Sequence, residues 1–222
     1  MLPLAGSDNP WFSWQFVRVN RETLTTALQQ HLSLTVVAVG VAALIAIPLA
    51  IVAYRTHWLA GPILSGAAIL YTIPSLALYA FLAPVMGLKF STALVGLVLY
   101  ALIMIVHNTL VGLRQVPADV RDAAAGMGYG RLGLLWRVEL PMALPSIVTG
   151  LRLATVSTVA LVTVTAYVGF GGFGLVILNG FNNNFYHAQI MTGTIACVLL
   201  ALVLDIVLFG LGKLVMPWTR RR

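Results

Sequence analysis

Only six carboxylates, four histidines and one cysteine are available for acid–base, metal or nucleophilic chemistry in 222 residues. Their spacing offers little of it. His31, His57, His107 and His187 are scattered, and no two share the spacing that puts a pair of ligands on one helix face. No serine sits in a nucleophile-elbow context. No GxxxxGK[ST] loop occurs to cradle phosphates, so the chain is expected neither to hydrolyse ATP nor to be an enzyme. Gly169-x-Gly171-x-x-Gly174 satisfies the dinucleotide fingerprint as a pattern, but it follows an apolar run, not a strand, and has no acid about 20 residues on. Its glycines are read as a tight turn or close backbone packing, with a carbonyl-lined selectivity filter as the alternative. Cys197 lies alone in an apolar run, so no disulfide forms within the chain.

The remaining polar groups of interest lie inside apolar sequence. Asp205 is an acid within such a run, where charge is expensive, so pairing at a helix or subunit interface is expected over a transport role. His107, Asn108 and Thr109 are consecutive in another run. They are read either as interhelical hydrogen-bonding groups or as lining of a translocation path. Pro74 and Ser75 join them as candidates for that path. Pro48, Pro74 and Pro84 interrupt the first two runs, as simple kinks or, in the second run, as bends that shape a substrate pathway.

These groups must be positioned by membrane helices. The chain is 60% hydrophobic and 9% charged, with mean hydropathy +0.96; soluble domains carry about 25% charged residues. Five long apolar runs cover approximately 32–54, 59–83, 92–112, 146–169 and 190–214. Each can cross about 30 Å of hydrocarbon as a helix, and the alternating pattern of a membrane β-barrel is absent. Residues 1–31, with Trp11, Phe12, Trp14 and Phe16, read as an interfacial segment. The membrane domain is then 32–214, and 215–222 forms a basic tail. No cleavable signal peptide is expected, because no basic stretch leads into an apolar one at the start.

The net charge of +7 marks topology and not nucleic acid. Five spans place Arg55, Arg114, Arg121, Arg131, Arg137, Arg152, Lys213, Arg220, Arg221 and Arg222 on one side, against Arg18, Arg21 and Lys89 on the other. The positive-inside rule then predicts a cytoplasmic C-terminus and an outside N-terminus.

One connection, 114–145, is much longer than the rest, and loops beyond about 12–15 residues usually have a function or are disordered. Its composition is ordered. Pro117 suits the first position of a helix, Asp119 and Asp122 suit its first turns, and Val120, Ala123, Ala124 and Met127 recur at helical spacing. Gly126, Gly128 and Gly130 stop that helix. Leu132, Leu135 and Trp136 then suggest a second short helix ended by Pro141 and Pro145. A helix–turn–helix too polar for lipid but apolar on one face calls for a cytoplasmic protein partner.

Asp122-Ala123-Ala124, then Gly128, then Val138-x-Leu140-Pro141 resembles the "EAA" loop of ABC-importer permeases. That pattern runs Glu-Ala-Ala, three residues, Gly, nine residues, Ile-x-Leu-Pro, and here Asp122 stands for Glu and Val138 for Ile. The resemblance implies an all-α integral membrane protein of the type I (MetI-like) permease fold. It also implies that Asp122, Ala123, Ala124, Met127, Gly128, Val138, Leu140 and Pro141 couple it to an ATPase dimer. ATP and magnesium belong to that partner, and no cofactor or metal is expected in this chain. Thr72 to Leu78, His107-Asn108-Thr109, Gly126-Met127-Gly128, Glu139-Leu140-Pro141, Gly150-Leu151-Arg152 and Gly169 to Gly174 are similar to the osmoprotectant branch. That branch takes glycine betaine, carnitine and choline into the bacterial cell across the inner membrane. A second permease copy or paralogue and an extracytoplasmic binding protein, carrying an aromatic cage for the quaternary amine, complete the implied assembly, with no nucleic acid. Alternatives are a methionine-like amino-acid permease, or a channel or membrane scaffold without an ATPase.

Overall fold

Ten α-helices carry the chain in the computed structural model, which describes residues 9–218. They are α1 (Trp14–Val19), α2 (Arg21–Arg55), α3 (His57–Thr72), α4 (Ser75–Met86), α5 (Phe90–Arg114), α6 (Ala118–Gly126), α7 (Arg131–Leu134), α8 (Leu140–Val162), α9 (Phe173–Asn182) and α10 (His187–Val215). A π-helical turn, Leu135–Glu139, joins α7 to α8, and a 3-10 segment, Thr163–Val168, follows α8. Among the described residues there is no strand. Backbone groups in hydrocarbon must be satisfied within their own segment, so an apolar chain of this kind folds as helices.

Among the described residues, four helical stretches are long and apolar enough to cross a membrane: α2, α5, the continuous run from α7 through the 3-10 segment, and α10. The second apolar run differs from its expectation. It is broken into α3 and α4 at Ile73 and Pro74, and gives a fifth span only if the pair counts as one. The cause is local. Proline disfavours the helical conformation in the residue before it, and Ile73 is extended at φ −67°, ψ 125°. Pro48 and Pro84 remain inside their helices, so of the three prolines only Pro74 divides one. The carbonyl of Ile73, released from helical bonding, accepts the Tyr100 hydroxyl.

Other boundaries shift as well. The first spanning helix begins at Arg21, so position 31 lies inside it. Glu22 in its first turn favours that start. No short helix ends at Pro141 and Pro145, since both lie in the first turns of α8 and the helix continues through them. Arg152, one of the ten basic residues assigned to the C-terminal side, lies within α8. Arg220 to Arg222 fall outside the described residues.

The chain divides into two compact units, each assembled from separate stretches of sequence. One comprises Met1–Ala38, Pro74–Leu97 and Val156–Val203. Here His31 is buried, with Nε2 3.0 Å from the Val159 carbonyl. Its Nδ1 accepts the Phe173 N–H at 3.3 Å, which makes Nε2 the protonated nitrogen. The glycine turn packs beside it. A β-carbon at Gly174 would lie 2.2 Å from the Thr163 carbonyl oxygen, and the Gly172 N–H donates to Gln30 Oε1 at 2.9 Å. Tight turn and close backbone packing are thus what these glycines provide.

The other unit comprises Val39–Ile73, Val98–Thr155 and Leu204–Arg222. Its core holds Leu113, Leu135, Ala143 and Ile147, with Ile47, Ile51, Tyr54, Leu140 and Leu151 packed against them. Helices α5 and α8 approach closely at small residues, as membrane helices do. A β-carbon at Gly150 would sit 2.7 Å from Asn108 Cβ, and one at Gly112 2.7 Å from Ser146 Cβ. Asp205 is paired, as an acid within an apolar run is expected to be. Arg152 grips it with Nε to Oδ1 at 2.8 Å and Nη2 to Oδ2 at 2.7 Å, over the ring of Phe209.

Candidate functional site

The long connection folds as its composition dictates. Pro117, at φ −59° and ψ 142°, is the residue before α6 and not its first helical one. Asp119 sits in the first turn, where the helix dipole favours an acid, and three alanines of the highest helix propensity follow. The end is a Schellman motif. Tyr129 N–H reaches the Ala124 carbonyl at 3.2 Å and Gly128 N–H the Ala125 carbonyl at 2.9 Å, with Gly128 left-handed at φ +87°. The three-residue interval between Ala124 and Gly128 is therefore the distance from the last buried turn to the glycine that terminates it.

The structure separates the eight candidate coupling residues into two groups. Along α6 only Ala124 is buried, at 2% exposure. Asp122, Ala123 and Gly128 are exposed, Met127 is 73% exposed, and Leu132 and Trp136 just beyond are 73% and 65% exposed. Of the expected apolar stripe, Ala124 packs inside this chain, whereas Val120, Ala123 and Met127 do not. Val138, Leu140 and Pro141 do the opposite. They are half-buried, and Leu140 packs on the core of its unit, anchoring the loop.

A polar network at the loop was not visible in the sequence. Glu139, 1% exposed, accepts the Tyr54 hydroxyl on Oε1 and Arg55 Nη2 on Oε2, each at 2.8 Å. Arg121 of α6 donates to the Tyr54 oxygen at 3.1 Å. These four residues, with Asp122, Ala125 and Leu134, line a cleft of about 390 Å³. The partners are separated by 67 to 85 positions, and the only sequence signal is an acid between Val138 and Leu140-Pro141.

The translocation candidates occupy different surroundings. Pro74 is exposed and Ser75, the first residue of α4, is half-buried. His107 is exposed, while Asn108 is half-buried and spends its amide on the Met104 carbonyl at 2.8 Å. Thr109 is buried, and its hydroxyl finds no partner among the described residues. Successive helix residues point about 100° apart, so the three do not form one lining. Among the described residues no group of His, Cys, Asp or Glu could hold a metal.

The family model of binding-protein-dependent transport system inner membrane components matches residues 42–221, a stretch that contains the whole of this loop. The chain belongs to that family. The permease is 37% identical over 203 residues to the Osmoprotectant import permease protein OsmW of Salmonella typhimurium, covering 89% of this chain and 94% of the relative. It is 35% identical over 200 residues to the Carnitine transport permease protein OpuCB of Listeria monocytogenes, covering 90% and 89%. Its fold is that of the MetNI methionine ABC transporter in an inward-facing form, with TM-score 0.81 over 88% of this chain and 97% of that one, at 20% identity. The all-α, MetI-like importer fold implied by the EAA resemblance is the fold of this permease.

Proposed function

We propose that this permease moves an osmoprotectant of the quaternary-amine class (glycine betaine, carnitine or choline) into the cell by alternating access, driven by a separate ATPase dimer. In this reading α6 is the docking helix, and Asp122, Ala123, Met127 and Gly128 present it to a groove on the ATPase. Val138, Leu140 and Pro141 hold the loop to the spanning helices. The single observation that carries the docking assignment is the open apolar face of Val120, Ala123 and Met127 on a helix ended by a left-handed glycine. Exposed apolar side chains outside lipid are costly unless a partner covers them.

The substrate class rests on relatives whose names specify osmoprotectant and carnitine import, at 35–37% identity over most of both chains. The likeness to the methionine transporter is one of fold alone. A channel or scaffold is disfavoured by family membership. A second permease copy or paralogue, an extracytoplasmic binding protein, and a topology with the N-terminus outside complete the proposal. The test is copurification of the permease with an ATPase subunit from the cells that produce it, followed by uptake into vesicles to which the candidate binding protein is added. ATP-dependent accumulation of radiolabelled choline, carnitine or glycine betaine, with none of methionine, is expected. Methionine uptake, or no ATPase in the preparation, would refute it.

A further inference from the structure

We propose that Glu139 is a positioning residue for energy coupling, whose buried carboxylate ties both ends of the docking loop to the end of α2. The proposal rests on the reading of α6 as the docking helix and names the device that transmits its motion. Helix α6 has nine residues and buries one. A helix so short is marginal by itself, and an ATPase that moved it would fray or swing it unless something fastened it to the spanning helices.

Hydrogen-bonded side chains supply such a fastening. Tyr54 has a single hydroxyl proton, and it goes to Glu139 Oε1. The phenolic oxygen is then free to accept from Arg121 Nη1. The direction of the chain is fixed: Arg121 donates to Tyr54, and Tyr54 to Glu139. On the other carboxylate oxygen, Arg55 Nη2 donates at 2.8 Å and also reaches the Arg131 carbonyl at 3.0 Å. Arg131 opens α7, so the network holds α6 on one side of the Gly128 turn and α7 on the other. Both anchors, Tyr54 and Arg55, are the last two residues of α2.

Backbone geometry presents Glu139 to them. Pro141 has no N–H to return to the carbonyl four residues back, and the turn before it widens so that Leu140 N–H bonds Leu135 O. Such π turns recur at functional sites. A core of similar volume could be built from apolar groups at less expense than a buried ion pair. What the polar version adds is directional sensitivity, because hydrogen bonds weaken steeply with misalignment. Displacement of Arg121 therefore strains Tyr54, Glu139 and Arg55 together, and α2 and α8 with them.

The experiment uses the full complex with its ATPase in vesicles and reads substrate accumulated per ATP hydrolysed, at matched complex yield. Tyr54→Phe keeps the ring and the Arg55–Glu139 pair but cuts the route from Arg121. It is expected to lower the ratio about tenfold while ATPase copurification stays at the wild-type level. Arg121→Leu should do the same, and Tyr54→Phe/Arg121→Leu no more than either alone, since they interrupt one path. Glu139→Gln, which keeps the shape and loses the ion pair, should also uncouple. An unchanged ratio in Tyr54→Phe overturns the proposal, whether or not complex yield falls, because yield alone reports a structural role. Additive losses in the double variant overturn it too. Absence of ATPase from the wild-type preparation removes the docking reading itself, an outcome distinct from a wild type that couples and a Tyr54→Phe that couples equally well.

Discussion

Gly128 gives the sharpest single-residue prediction, because its two possible roles separate by substitution. Its φ of +87° lies in the left-handed region, where a β-carbon costs ~1–2 kcal/mol. Nothing lies within 4 Å of a β-carbon built there, so Gly128→Ala carries the conformational cost and no clash. If the residue leaves that region, the bonds from Gly128 to Ala125 and from Tyr129 to Ala124 go with it. A cost of ~1–2 kcal/mol corresponds to a roughly 5- to 30-fold shift toward a frayed helix end. Gly128→Asn should be milder, since asparagine tolerates the conformation better. Gly128→Trp adds a ring that has open space in this chain but would occupy the docking face. The expected order of coupled uptake is glycine, then asparagine, alanine and tryptophan. Only tryptophan should reduce ATPase copurification, and membrane insertion should be normal throughout. Amide hydrogen exchange at Tyr129 should rise in alanine and less in asparagine. Equal uptake by wild type, alanine and tryptophan variants would refute the reasoning, as would an asparagine variant worse than alanine.

Three further outcomes follow from the packing. Asp205→Asn should weaken assembly, lowering the detergent melting temperature by ~2–4 °C, because it leaves Arg152 with half its grip; full stability with lost uptake would make Asp205 a transport residue. Gly174→Ala should destabilise by several kcal/mol, since backbone at Thr163 cannot yield, whereas Gly40→Ala, with open space around it, should be neutral in the same thermal assay. With Cys197 replaced, a cysteine at Asn183 should react with an impermeant thiol reagent on intact cells and one at Arg131 should not; the reverse pattern overturns the proposed topology.

Much of the membrane architecture was legible because lipid imposes it locally. A run of about 20 apolar residues in lipid is driven to be helical by its own backbone, and the runs at 32–54, 92–112 and 190–214 each lie within one helix, while 59–83 is divided at Pro74. Helix α6 was legible for a similar reason, since Pro117, Asp119, the alanines and Gly128 each carry their signal within a few residues. Helix limits were not. Arg21 to His31 are polar enough to read as interface, yet they continue α2, and Pro141 and Pro145 read as stops where continuity with α7 made them interior. Pro74 differs from Pro48 and Pro84 in outcome but not in residue type. Least legible was Glu139, whose partners Tyr54 and Arg55 lie more than 80 positions away. No periodicity connects such residues, and only the packed bundle brings them together.

In the proposed function, α6 is where an ATPase grips this permease. Photocrosslinking from a probe placed at Met127, with a second at Lys89 as control, tests it most directly in membranes from cells producing the whole transporter. The expected product is a single adduct between Met127 and the ATPase subunit, strengthened or weakened by ATP, with none from Lys89. An ATPase adduct from Lys89 and not from Met127 would contradict docking at α6.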